Sequence, residues 1–365
     1  METISAPKFT ISYSGKDITE DVSRFLVSLK YQDKLKGASD ELEITLEDSA
    51  DLWKNEWYPG MGAKLKAEIG YDQLMPCGEF EIDEISMSIA PDTITLKALA
   101  VPVTGTLRTK KSVAHENTSL KDIAQKVASA NGLTLQGEID AMQFKRVTQN
   151  QETDLAFLTR IGKEYGYFFT VRAGMLIFSS VYKIEDGKSV RTIDRSQLLR
   201  CELKDKAAKT FKKATLAYHN PSTAKIVQAT STTKTNTNVD GATYTEIVAG
   251  DDLVIRARAE DETQANAKVK AYLHGANSLQ QEGTITVSGD PLLVAGNNLE
   301  LTGLGLLSGK YQIQESTHEI DKAGGYKTSV EIKRVGFVEI TKHKKAPAKK
   351  RSVEYDVEEI GDESI

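Results

Sequence analysis

The side chains here with the chemistry for catalysis or metal binding are five histidines, two cysteines and a few close pairs of carboxylates. Histidines act as metal ligands when two stand one helical turn apart or beside a cysteine cluster. His115, His219, His274, His318 and His343 show neither arrangement. His318 stands in an alternating stretch and reads as a hydrogen-bonding strand residue. His343 stands in a basic run and reads as solvated. Bond cleavage between sugars needs two carboxyl groups facing one bond. Asp83 and Glu84 are neighbours on an expected strand and point to opposite faces. Glu41 and Glu43 share a face, but with Thr45 and Glu47 they read as a solvated one. No Gly-x-Ser-x-Gly elbow occurs. Gly303, Gly305 and Gly309 lack the Lys-Ser/Thr pair of a phosphate loop and read as turns. Cys77 and Cys201 are far apart and read as reduced thiols rather than a disulfide framework. The aromatic run Tyr165 to Phe169 reads as core rather than a ligand-stacking surface. The expectation is therefore an absence of catalytic, cofactor-binding and metal sites, and a chain that is not an enzyme.

The elements that would position these residues are mostly strands. Phe9, Ile11 and Tyr13 alternate with polar residues, as do Leu42, Ile44 and Leu46, the pattern of half-buried strands. Turn signals at Pro59-Gly60, Pro76, Gly78 and Pro91 punctuate the first hundred residues, which read as an antiparallel barrel or sandwich. The texture changes after Pro102. Thr118-Ser119 caps a helix with Leu120, Ile123, Ala124 and Val127 on one face, and Asn131-Gly132 ends it. A second helix begins near Thr153-Asp154, buries Phe157, Leu158 and Ile161, leaves Arg160 and Lys163 more exposed, and stops at Gly166. A hairpin follows through Arg172-Ala173-Gly174. Strand character returns over 196–225, then an exposed loop from Thr230 to Asn238, then a helix from about Ala259 to Leu273.

The most telling pattern is a repeat. Gly78-Glu79-Phe80-Glu81-Ile82-Asp83-Glu84 and Gly309-Lys310-Tyr311-Gln312-Ile313-Gln314-Glu315 share the form Gly-x-aromatic-x-Ile-x-Glu. Each is followed by an alternating strand, Thr93 to Ala98 and Thr328 to Ile332. The fold class expected is mainly β with α+β insertions: two similar antiparallel β-barrels joined by a small α/β domain. The boundaries expected are 1–103, 104–195, and 196–336 with a loop-helix insertion at about 226–281. Residues 337–365 form a charged tail, basic from Lys342 to Arg351 and then acidic. It is expected to be disordered alone, with Val353, Tyr355 and Val357 able to add as an edge strand to a partner.

Bulk properties agree with a globular protein of two or three domains. The 365 residues are 39% hydrophobic and 27% charged. A net charge of −5 argues against specific nucleic-acid binding. No stretch has the apolar length of a membrane span, and Met1 to Thr10 does not read as a secretory signal.

Three segments carry a resemblance: Glu152 to Phe169, with the form Glu-x-Asp-x-x-Phe-Leu-x-Arg; Gly289 to Thr328, beginning Gly289-Asp290-Pro291; and the Ala-rich helix Glu260 to Leu273. Together the chain resembles, over about residues 5–336, the phage late control D family, the tail or baseplate hubs of contractile-tailed phages and tailocins. That family is related to the N-terminal hub region of the VgrG spikes of type VI secretion. The resemblance implies two tube-type β-barrels per chain and a homotrimeric ring adapting a threefold spike to a sixfold tail tube. The partners it implies are the tail spike and the tail tube or tube initiator, with tape-measure and baseplate-wedge proteins as further candidates. The location it implies is the virion tail or baseplate, after synthesis in the bacterial host cytoplasm. Other readings are a tail-associated peptidoglycan-degrading enzyme, a sugar-binding β module, and the hub of a type VI-like spike.

Overall fold

The computed structural model describes residues 6–35, 39–100, 109–172, 174–206, 211–220, 225–232, 236–237, 243–244, 251–278, 280–322 and 325–337. The charged run from Lys342, with His343, Val353, Tyr355 and Val357, lies outside them.

The first β unit contains β1 (Lys8–Tyr13), β2 (Lys16–Asp17), α1 (Thr19–Phe25), β3 (Leu26–Lys34), β4 (Glu41–Glu47), β5 (Lys64–Gly70), β6 (Leu74–Ser88) and β7 (Thr93–Leu99). Its apolar residues fall on alternate positions, so one face of every long strand is buried. Ile11, Leu29, Ile44, Leu65, Phe80 and Leu96 come from six different strands and share one core. Strands from one end of this antiparallel ladder to the other share that core, so the sheet curls around it.

The α/β part follows as β8 (Lys111–Ser119), α2 (Leu120–Ala130), β9 (Thr134–Gln136), β10 (Gln143–Glu152), α3 (Asp154–Tyr165), β11 (Tyr167–Arg172), β12 (Met175–Ser180) and α4 (Val181–Asp186). Ser119 caps α2 through a reciprocal bond with Asp122, and the Thr153 hydroxyl accepts from the Ala156 N–H at the start of α3. Gly166 ends α3 at φ 80°, and a Cβ there would also crowd the Tyr182 ring at 3.0 Å. Phe157, Leu158, Ile161, Tyr165, Tyr167 and Phe169 pack with α2 in a core of their own, while Phe168 packs instead with Leu35 and Val181.

The second β unit begins with β13 (Ser189–Asp194) and β14 (Arg200–Asp205), earlier than the boundary expected at 196, because β13 pairs with a strand of this unit rather than with the α/β sheets. An insertion interrupts it: β15 (Lys213–Asn220), β16 (Lys225–Thr232), β17 (Asn236–Thr237), β18 (Thr243–Tyr244), β19 (Asp252–Ile255) and α5 (Glu262–Asn277). The unit resumes with β20 (Gln281–Ser288), β21 (Asn298–Thr302), β22 (Gly309–Asp321) and β23 (Gly325–Phe337). Ile193, Ile285, Leu299, Tyr311, Ile313 and Val330 form its core.

Three expectations need correction. Residues 213–220 do not belong to the second β unit; β15 forms a separate sheet with β16 and β19, covered by α5. The insertion therefore begins soon after β14. Alternation of apolar residues shows that a strand exists but not which sheet it joins. The loop expected from Thr230 is strand up to Thr232, because β16 pairs along the whole of β15. Finally, the two β units share one 13-stranded sheet, since β22 pairs with β3 across the boundary between them. The two cores are nevertheless distinct, although Ile320 and Tyr326 of the second unit pack into that of the first.

Candidate assembly interface

All six main strands of the first unit and five of the six of the second form antiparallel ladders, and the two units follow one strand order. In the first unit that order is β3-β4-β7-β6-β5-β1, and in the second β14-β20-β23-β22-β21-β13. Ranked along the chain, both orders are second, third, sixth, fifth, fourth, first. The register repeats as well. Phe80 lies opposite Leu65, and Tyr311 opposite Leu299. Ile82 lies opposite Ala98, and Ile313 opposite Ile332. Each ladder then shifts by a residue, between Ile82 and Glu84 and between Ile313 and Glu315. The repeated sequence motif is thus a strand that buries an aromatic and an isoleucine and then bulges. The bulge also corrects the expectation of strict alternation at Asp83 and Glu84. One strand departs from the repeat: β1 runs antiparallel to β5, whereas β13 runs parallel to β21.

Past its bulge, β22 turns its other edge to β3. Glu315 stands opposite Lys34, Thr317 opposite Gln32, His318 opposite Tyr31 and Ile320 opposite Leu29. His318, Ser316 and Asp33, all buried at this seam, are each engaged in hydrogen bonds, as burial requires. His318 Nδ1 lies 2.8 Å from the Tyr326 hydroxyl, and its Nε2 lies 3.0 Å from Ser316 Oγ. The ring stacks on Tyr31 at 6.0 Å. The Asp33 carboxylate, fully buried on the first unit, accepts from the Ala295 N–H of the second at 2.8 Å. The Gly289-Asp290 motif serves the same seam. A Cβ on Gly289 would stand 2.0 Å from the Tyr326 ring. The Asp290 N–H donates to Thr328 Oγ1 at 2.9 Å, and its carboxylate holds Arg191 Nε at 2.6 Å.

A second junction ties the α/β part and the insertion to the second unit. Glu185 on α4 accepts from Lys333 on β23 and from His274 on α5, the latter at 2.9 Å. Burial opposes ionisation of this carboxyl, but the His274 hydrogen bond and the Lys333 charge outweigh it, holding its pKa down to about 2. Within α3, Arg160 is half-buried rather than simply exposed. It makes two bonds to Glu152, at 2.8 and 2.9 Å, and a third to Thr148 O at 2.9 Å. Sequence reasoning missed both braces. The spacing of Glu152 and Arg160 within one motif was a usable signal; the Glu185 cluster joins positions too far apart to leave one.

The histidines, cysteines and carboxylate pairs are scattered. His115 stacks on Phe157 in the α/β core, His274 joins Glu185, and His318 is in the seam. Glu43 lies 3.8 Å from Lys97 on the neighbouring strand. Cys77 and Cys201 are both free thiols, Cys77 buried and Cys201 exposed. Among the described residues no group of three or more His, Cys, Asp or Glu is arranged to hold a metal. An open cleft of about 340 Å³ on the outer face of β5 and β6 is lined by Lys66, Glu68 and Glu79. Lys66 and Glu79 already pair there at 3.2 Å. No helix among the described residues is long and apolar enough to cross a membrane.

Known proteins bear on this architecture. A family described as the phage tail baseplate hub (GPD) matches residues 92–324. The probable baseplate hub protein of Escherichia phage 186 is 32% identical over 180 residues, 48% of this chain and 46% of its own. The chain thus spans about half the length of that curated relative. A 43 kDa tail protein of prophage MuSo2 from Shewanella oneidensis superposes with a TM-score of 0.64, at 16% identity, over 90% of this chain and 99% of its own. A tail protein from Neisseria meningitidis MC58 superposes with a TM-score of 0.65, at 13% identity, over 90% and 97% of the two chains. At such identities the superpositions speak to fold alone, which is the mainly β fold described above. With nearly two thirds of its length inside the matched region, the chain belongs to the phage tail baseplate hub family.

Proposed function

We propose that the protein is the structural hub of a contractile injection particle, a ring of three chains that adapts a threefold spike to a sixfold tail tube. The observation that carries this reading is the six-strand order and register built twice in one chain. Three such chains place six near-equivalent β units around one axis, and the same ring keeps threefold symmetry wherever the two units differ. The parts that differ between units, the β13 reversal and the insertion with α5, suit the threefold face. The shared ladders suit the sixfold one. The partners on this reading are the spike on one face and the tail tube or its initiator on the other, in the virion tail or baseplate. On this reading the two β units and the α/β part between them are separate domains of the chain. The chain's role is mechanical rather than catalytic. Its mass in solution, measured by light scattering, is expected to be three times the 40.1 kDa of one chain. A monomer at micromolar concentration would overturn the ring. Cell-wall hydrolysis by the purified chain in a zymogram would overturn the non-enzymatic reading.

A further inference from the structure

The pairing of β22 with β3 joins the second unit to the first inside one chain, and the repeat supplies a second copy of each partner strand. β6 holds in the first unit the place of β22, and β14 holds in the second the place of β3. Among the described residues, β14 pairs only with β20, and β6 beyond its bulge pairs only with β7. Each chain therefore presents one free edge of each kind.

The repeated register says what these edges would meet. The bulges place Glu84 where Glu315 stands. The ladders through β4 and β20 place Leu203 where Tyr31 stands, because Tyr31 faces Leu42 and Leu203 faces Gly283 at matching rungs. Carrying the internal seam across these matches sets Glu84 opposite Lys206, Met87 opposite Leu203 and Ile89 opposite Cys201. We infer that β14 of one copy pairs antiparallel with Glu84 to Ser88 of the next copy, head to tail, in this register, which brings Ile89, the first residue of the turn after β6, beside Cys201. The inference rests on the ring reading and specifies the surface by which its copies join.

Three observations support the register. Met87 and Ile89 are 58% and 74% exposed, while Ile320, at the place of Ile89, is buried in the internal seam. Cys201 is exposed where Leu29, at its place, is fully buried. Apolar side chains on an unpaired strand edge mark an interaction site, since edges facing only water are normally blunted by charge or proline. Charge also agrees: the internal seam sets Glu315 opposite Lys34, and the inferred one sets Glu84 opposite Lys206. Because the two free edges differ and complement each other, the contact is heterologous, the kind that on the ring reading repeats around one axis and closes after three copies.

A disulfide tests the register directly. Cβ atoms directly opposite in an antiparallel pair lie about 4.5–5.5 Å apart, within reach of a bridge after small adjustment. Ile89→Cys is an exposed substitution, and the native Cys201 provides the second thiol while Cys77 stays buried. Mild oxidation of the Ile89→Cys protein is expected to link copies into dimers and trimers on a non-reducing gel. Adding Cys201→Ser to the same protein is expected to abolish the links. A threefold mass without links, with both thiols still open to a thiol reagent, would overturn this register and leave the ring reading standing. A single-copy mass would overturn both.

Discussion

β3 and β14 hold the same place in two copies of one ladder, yet they differ sharply in burial. Leu29 and Tyr31 of β3 are fully buried, while Cys201 of β14 is exposed and Leu203 only partly covered. The local strand geometry is the same, so the difference comes from the neighbour: β3 has β22 beside it, and among the described residues β14 ends the sheet. Burial at a strand edge is therefore a property of what stands next to it. An apolar residue left uncovered at such a place marks a missing strand.

The sharpest test of the contrast is a matched pair of truncations. Tyr31→Ala is expected to cost about 3–5 kcal/mol in denaturant unfolding, the usual range for a buried aromatic. Leu203→Ala, measured dilute enough to keep copies apart, is expected to cost less than about 1 kcal/mol. Equal costs would break the comparison. Leu158→Ala, in the separate core of the α/β part, is expected to cost about 2–5 kcal/mol while leaving the seam unaffected. A loss under about 0.5 kcal/mol would show that this helix face is not a core.

Acid tests the junction that fastens the α/β part and the insertion to the second unit. The folded pKa of Glu185, about 2, lies below its ordinary value of 4.5. A carboxyl depressed on folding stabilises above its unfolded pKa and loses that contribution as pH falls toward the folded value. Thermal stability is therefore expected to drop between pH 4.5 and about 2, with Lys333 and His274 losing their partner. In Glu185→Gln that drop is expected to shrink; an unchanged profile would remove Glu185 from the account. The smallest effect belongs to the free edge. Cys201→Ala in separated copies is expected to change stability by less than about 0.5 kcal/mol, since the side chain has no covering strand.

How much of this was legible in the sequence follows from the range of each interaction. The caps Ser119, Thr153 and Gly166 act within four residues, and the sequence marks them plainly. The paired motif at Phe80 and Tyr311 revealed two equivalent units, because a ladder that buries an aromatic and then bulges needs the same residues each time. The membership of β15 was hidden, since alternation is the same in any half-buried sheet. The seam was hidden too. Nothing local ties Asp33 to Ala295 or Tyr31 to His318. The histidine's role as a hydrogen-bonding strand residue was readable, but its partners came from folding.

The central claim is that the two β units are near-equivalent parts of one ring, and particle images viewed down the axis test it most directly. Rotational averages are expected to show a dominant sixfold component from the ladders and a weaker threefold component from the α/β part and the insertion. Averages with twofold, fourfold or no rotational symmetry, or a threefold pattern without the sixfold component, would contradict it.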